Sequence, residues 1–148
     1  MTTSTESLHI VCPHCHTTNR VRVADMRSRP DCGQCHQSLF DGYPVALDDA
    51  SFDKHIGRSQ VPVLVDFWAP WCGPCRMMAP AYEQAASLLE PQVRLAKLNT
   101  EDAQGIAARF NIRSIPTLAL FVNGREVARQ PGAMDAQNIM AWATQNNR

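Results

Sequence analysis

The chain has 148 residues, 45% hydrophobic and 19% charged, which suits one ordinary folded domain with a small appendage. Its 14 basic and 14 acidic residues cancel, so bulk charge favours neither nucleic acid nor an anionic membrane as partner, and no apolar run is long enough to span a bilayer. The stretch from Met1 to Ser7 holds no basic residue and leads into no apolar h-region, so no secretory signal and a cytoplasmic location are expected.

All six cysteines fall in Cys-x-x-Cys pairs: Cys12/Cys15, Cys32/Cys35 and Cys72/Cys75. In a reducing compartment such pairs bind metal or do chemistry more often than they form structural bridges. A boundary is expected near Phe40 to Pro44, giving an N-terminal metal-binding domain over residues 1–41 and an α/β domain over 42–148. Residues 8–40 contain few large apolar side chains, and a segment this small needs a staple to fold.

The second part alternates strand and helix. Val45–Leu47 reads as a short strand, residues 50–57 as a helix ending at Gly57, and the apolar run Val61–Ala69 as a central strand covered on both faces. A helix is expected over Gly73–Leu89, with Met78, Tyr82, Ala85 and Leu89 on one face and a kink at Pro80. Val93–Leu98 reads as a strand with Val93, Leu95 and Lys97 on one face. A short helix follows, with Ile106 and Phe110 inward. Thr117–Val122 and Arg125 to about Gln130 form a hairpin about Asn123-Gly124, a type I′ signal. Asp135 caps the last helix, with Met134 and Ile139 as a hydrophobic staple. The order β-α-β-α-β-α-β-β-α implies a mixed sheet with helices on both faces.

The third pair carries the features of a redox dithiol. Cys72 follows the central strand and opens a helix, where free amides and the helix dipole stabilise a thiolate. Cys75 lies one turn on. Gly73 leaves the approach open, Pro74 stiffens the ring, and Trp71 covers the site with a rigid side chain. Asp66 interrupts an apolar strand, which implies either a raised pKa and a part in proton transfer or a satisfied structural acid. Pro116 opens a strand, where proline is ordinary punctuation.

Residues 44–146 resemble thioredoxin along nearly their whole length. Trp71-Cys72-Gly73-Pro74-Cys75, Asp66-Phe67-Trp68-Ala69, Pro80, Ile115-Pro116-Thr117 and Asn123-Gly124 carry the resemblance. It implies a thioredoxin fold and a protein-disulfide reductase. Cys72 would be the exposed attacking thiolate and Cys75 the buried resolving thiol. Asp66 would be the acid that assists Cys75, with Lys97 as its neighbour. Pro116 would be cis and packed on the sulfurs, and Ile115 would offer backbone hydrogen bonds to substrate. Trp71, Gly73, Pro74 and Gly132 would line the docking surface. Arg76 stands where many members have lysine and keeps the charge.

The first two pairs, separated by sixteen residues, fit a zinc-ribbon-like site with Cys12, Cys15, Cys32 and Cys35 as ligands of one Zn2+. Four arginines (20, 22, 27, 29) against Asp25 and Asp31 leave a surplus of two positive charges, which reads either as an offset to the excess negative charge of four thiolates or as an ordinary solvated charged surface. His16 and His36 make both pairs Cys-x-x-Cys-His, which is also the c-type haem attachment pattern. The haem reading needs export and a larger enclosure, so zinc and no haem are expected, with extra redox or disulfide pairs as the remaining alternative. His14, His16 and His36 read as surface or supporting residues, and His9 and His55 as ordinary surface residues. The arrangement, with Phe40-Asp41-Gly42 and the run Lys97 to Glu101, is similar to the zinc-carrying type of thioredoxins. That implies thioredoxin reductase and disulfide-containing clients as partners, a monomer, and a zinc site open to oxidation. The alternative is a zinc-dependent module that binds a partner or nucleic acid on a thioredoxin scaffold.

Overall fold

The computed structural model describes residues 6–147. Strands β1 (Ser7–Val11) and β2 (Thr18–Arg22) pair antiparallel in the N-terminal segment, followed by a single 3-10 turn. The rest alternates β3 (Val45–Leu47), α1 (Phe52–Arg58), β4 (Val63–Trp68), α2 (Gly73–Leu89), β5 (Arg94–Asn99), α3 (Gln104–Arg109), β6 (Thr117–Val122), β7 (Arg125–Pro131) and α4 (Ala136–Asn146), the order expected. These strands form one sheet in the order β3-β5-β4-β6-β7, with β3, β5 and β4 parallel and β6 and β7 antiparallel.

β4 lies between β5 and β6, so both its faces are covered. Val65 and Phe67 pack with Phe52, Ile56 and Phe121 beneath α1 and α3. Leu64 turns the other way, onto Met78, Tyr82 and Leu89 of α2 and Ile139 of α4. The Tyr82 hydroxyl sits 2.9 Å from the Leu64 carbonyl and 2.8 Å from that of Ala96, so α2 is bonded to two adjacent strands at once. Asn123 and Gly124 take φ of 52° and 81°, as a type I′ turn requires. Asp135 caps α4 through Asn138 N, and Met134 packs in the cluster of Ile139.

Several expectations shift. α1 begins at Phe52, and Gly57 lies inside it; Asp48 Oδ1 organises the entry by accepting from Ala50 N and Ser51 N. β4 starts at Val63, because Pro62 has no N–H to give the ladder and Val61 packs against the N-terminal segment. α2 continues as one helix through exposed Pro80. His55 is no surface residue. It is fully buried in α1, with Nε2 3.0 Å from His16 Nδ1. Burial, assisted by the positive charge of Arg94, His16 and Lys54, lowers its pKa to about 3, so it is neutral at pH 7.

The N-terminal segment folds against the sheet domain. Ile10, Cys12, Val21, Cys32 and Leu39 share a core with Val61. Gln60 N donates to the His9 carbonyl at 2.8 Å, extending the contact along β1. Arg94, with no exposed surface, donates from Nη2 to the carbonyls of Val11 and Leu39 at 3.2 and 2.6 Å, and from Nη1 to Glu90 at 3.1 Å. Its guanidinium also lies 4.6 Å from the Phe40 ring centre.

Removing one partner of such a buried pair leaves the other charge without compensation. Arg94→Met is expected to destabilise the chain by on the order of 3–5 kcal/mol, and adding Glu90→Gln to recover part of that loss. Urea unfolding of the single and double variants checks both; a double variant no more stable than Arg94→Met would contradict the pairing.

Candidate active site and metal centre

β4 ends at Trp68 and the chain turns directly into α2 with Cys72 as its N-cap. The sulfurs of Cys72 and Cys75 are bonded to each other, their Cα atoms 5.2 Å apart. Cys75 N points at Cys72 Sγ at 3.2 Å, so one free amide of the helix end is aimed at the sulfur that would carry charge on reduction. Cys72 is less exposed than expected, at 5% against 2% for Cys75. It is the more accessible of the two by a narrow margin. No heavy atom outside its chain neighbours lies near the position a Gly73 Cβ would take, so the approach over that residue is open.

The loop before β6 closes the site from the other side. The Ile115–Pro116 bond is cis, Pro116 is buried, and the Ile115 carbonyl lies 3.8 Å from Cys72 Sγ. Gly132, with φ of 98°, follows β7 and donates from N to the Pro116 carbonyl at 2.8 Å. Trp71 is 65% exposed, and its Nε1 donates to Glu101 at 2.6 Å. Arg76 folds back to the Pro70 carbonyl at 3.1 Å, and Pro74 lies exposed in the first helical turn.

Glu101 had no role in the sequence reading. The signal was topological: the connection after β5 emerges at the same sheet edge as the one after β4, because the two strands are parallel neighbours.

Asp66 is fully buried on the β4 face turned to α2, two residues from Leu64, and neither carboxyl oxygen has a hydrogen-bond partner among the described residues. Its register partner on β5 is Lys97, whose ammonium lies 4.6 Å from the Trp68 ring centre. Burial raises the Asp66 pKa to about 7, and the Lys97 charge opposes the shift without cancelling it.

At the other end of the molecule the four remaining cysteines meet. Their sulfurs all lie within 4.8 Å of one another, with Cys12–Cys35 and Cys15–Cys32 each at 3.6 Å. The two pairs repeat one turn. His14 N and Cys15 N point at Cys12 Sγ, at 3.3 and 3.5 Å, as Gln34 N and Cys35 N point at Cys32 Sγ at the same two distances. Asn19 Nδ2 adds a contact to Cys32 Sγ at 3.4 Å. This four-cysteine cluster could hold a metal ion, with amide donors placed to offset thiolate charge. The histidine rings are employed elsewhere: His14 on Asp41 at 3.0 Å, His16 on His55. His36 is exposed, and His9 is exposed as expected.

The thioredoxin family model matches residues 43–145. The chain belongs to the thioredoxin family. It is 45% identical over 136 residues to Thioredoxin C-3 of Corynebacterium nephridii, covering 92% of this chain and 93% of the relative. That alignment is longer than the family-model match and takes in much of the N-terminal segment. It is 42% identical over 100 residues to thioredoxin of Haemophilus influenzae, covering 68% of this chain and 94% of the relative. Among solved structures, a mutant thioredoxin from Halobacterium salinarum matches with a TM-score of 0.65 at 28% identity, covering 72% of this chain and 93% of that one. The chain is therefore a thiol-disulfide oxidoreductase of the thioredoxin type, and a binding module on an inert scaffold is not favoured. Among the described residues no helix is long and apolar enough to cross a membrane.

The raised Asp66 pKa has a sign. The unfolded carboxyl ionises near 3.8 and the folded one near 7, so the folded state loses stability as pH rises between these values and regains none above them. Asp66→Asn is expected to be more stable than the parent at pH 8.5, by up to a few kcal/mol, with the difference shrinking towards pH 4. Urea melts at both pH values check this; equal differences would mean that Asp66 is not the titrating group.

Proposed function

We propose that the chain reduces protein disulfides in the cytoplasm, drawing electrons from thioredoxin reductase, through residues 42–148, while residues 1–41 form a zinc-binding unit. The observation that carries the redox reading is an unpartnered, buried carboxyl group on the strand that leads into the Cys72–Cys75 helix. Nothing structural is gained by a carboxyl group so placed, whereas each turnover needs a group near neutrality that takes the Cys75 proton as the 72–75 disulfide forms and returns it as that disulfide is reduced.

In the reduced enzyme Cys72, held at the helix N-terminus, attacks a substrate disulfide. A Cys72–substrate disulfide forms and one substrate thiolate leaves and takes a proton. Asp66 then accepts the Cys75 proton. Cys75 attacks Cys72 Sγ, which forms the 72–75 disulfide seen in the structure and releases the second substrate thiolate. The reductase returns two electrons. Lys97 tunes Asp66 from the neighbouring strand. Pro116, cis and buried next to Ile115, packs against the sulfurs. The Ile115 backbone offers an edge to an extended substrate, and Trp71, Gly73, Pro74 and Gly132 form the surface around it.

Zinc suits the second site by its donor set. A tetrahedral ion with sulfurs at about 2.3 Å separates them by roughly 3.8 Å, close to the 3.6 Å found between the two cysteine pairs. Cys12, Cys15, Cys32 and Cys35 would hold it, and its binding would supply folding energy to a segment with a small core. We take the chain as a monomer.

Cys75→Ser is expected to accumulate mixed disulfides with insulin through Cys72 and to lose steady-state insulin reduction with thioredoxin reductase and NADPH; normal turnover by this variant would sink the two-cysteine scheme. Metal analysis with thiol titration is expected to give about one zinc per chain, two fast thiols in the reduced protein, and four more after chelation. Zinc retained after substitution of both Cys12 and Cys32 would exclude the proposed ligand set.

A further inference from the structure

The seam between the N-terminal unit and the sheet domain is open. Two cavities, about 690 Å³ and about 370 Å³, adjoin along it and share Met26, Arg27 and Pro91. The smaller is apolar, walled by Leu8, Val23 and Val61. The larger has Arg27 and Arg29 on its rim, both exposed, and neither makes an ion pair or a side-chain hydrogen bond among the described residues. The charges around them are spent internally. Asp41 pairs with His14 at 3.0 Å, Glu90 with Arg94 at 3.1 Å and Arg22 with Asp25 at 2.8 Å, which leaves exposed Asp31 as the opposing carboxylate on that rim.

We propose that this seam is a docking surface, separate from the disulfide, for a segment of a partner protein that carries apolar side chains next to aspartate or glutamate. The apolar half takes the hydrophobic side chains, and the two arginines take the carboxylates in the forked geometry that guanidinium favours. Two arginines are few for a phosphate backbone, and the ring on the cavity wall, Phe40, is already covered by Arg94, so base stacking has no free platform. The seam adjoins Glu90 and Pro91, just past the end of α2, whose 17 residues put it roughly 25 Å along the helix from Cys72. A partner seated there leaves the redox site open to clients.

The test uses the intact, zinc-loaded chain and a random library of cysteine-free ten-residue peptides. Selected peptides are expected to be rich in Asp or Glu beside Leu, Ile or Val. Their titration is expected to shift the amide signals of Ala24, Val61 and Gln92 and to leave those of Trp71 and Ile115 in place. Arg27→Glu with Arg29→Glu is expected to weaken binding at least tenfold while zinc content and insulin reduction stay at parent levels. Arg27→Gln with Arg29→Gln, which adds no negative charge, is expected to weaken it in the same direction, and Arg20→Glu to leave it unchanged. No selection above background, or peptides that shift only the Trp71 and Ile115 signals, would overturn the proposal. So would a twelve-nucleotide single strand that binds more tightly than the peptides and is lost in the same double variant. Loss of seam binding with insulin reduction intact leaves the redox reading standing, and loss of reduction by Cys75→Ser bears on that reading alone.

Discussion

A guanidinium shut away from water joins the two parts of this molecule. Arg94 opens β5, and its charge is tolerated there because both terminal nitrogens and one face of the guanidinium are engaged, by the Glu90 carboxylate, the carbonyls of Val11 and Leu39, and the ring of Phe40, with Nε alone left without a partner among the described residues. Glu90 is tied in turn to the amide of Gly42, in the junction between the parts, at 3.1 Å. Burial pushes Glu90 up and Arg94 down, and the pair resists both shifts. Three of these partners, Val11, Leu39 and Phe40, belong to the cysteine-bearing segment. Val11 immediately precedes Cys12 and Leu39 follows Cys35 by four residues, so whatever orders the four sulfurs also holds the carbonyls that satisfy Arg94. The segment is thereby part of how the sheet domain satisfies its own buried polar groups.

The opposite tolerance is seen at Asp66. Here the strand accepts a buried carboxyl group with nothing to bond, and the surroundings carry the cost. On one side of the sheet Phe52, Phe110 and Phe121 meet edge to face or tilted, with ring centres 5.3 to 5.9 Å apart. On the other the Tyr82 hydroxyl straps α2 to β4 and β5 beside the Asp66 carboxyl. Such rigidity suits the proton-transfer role proposed for Asp66. A floppy strand would let water reach Asp66 and return its pKa to the ordinary range, where a carboxylate is a poor match for a thiol proton at neutral pH.

The redox domain was legible because its signals are local and repeated. The period of Met78, Tyr82, Ala85 and Leu89 placed α2 with its termini correct, and Asn123-Gly124 set the hairpin. Cys72 with Asp66, and Cys12 with its three partners, stood out by residue type and spacing. The Arg94 clamp was invisible: an arginine at a strand start looks solvated until the carbonyls that surround it, from 55 and 83 residues away, are brought in. His55 was misjudged for the same reason, since its partner His16 lies 39 residues earlier. Low apolar content in residues 8–40 suggested dependence on a staple, but it hid the contribution of Val61, which lies in the other part of the chain.

The three cysteine pairs begin as one structure. In each, the second cysteine's amide points at the first sulfur, and the amide after the pair bonds the first cysteine's carbonyl: His16 to Cys12 at 3.0 Å, His36 to Cys32 at 2.9 Å, Arg76 to Cys72 at 3.1 Å. They part at that next residue. His16 and His36 take φ of 64° and 65°, a left-handed conformation that histidine adopts more readily than most side chains. The chain then doubles back, so that Cys12 N meets the Thr17 carbonyl and Cys32 N that of Gln37, and each pair turns its sulfurs outward to the other. Arg76 keeps helical geometry and α2 continues to Leu89, so Cys72 and Cys75 have only each other. The histidines that made the first two pairs look like haem attachment sites thus have a backbone reason to be there. A single dihedral angle after an identical turn separates a pair placed to share a metal with its neighbour from a pair that shares two electrons.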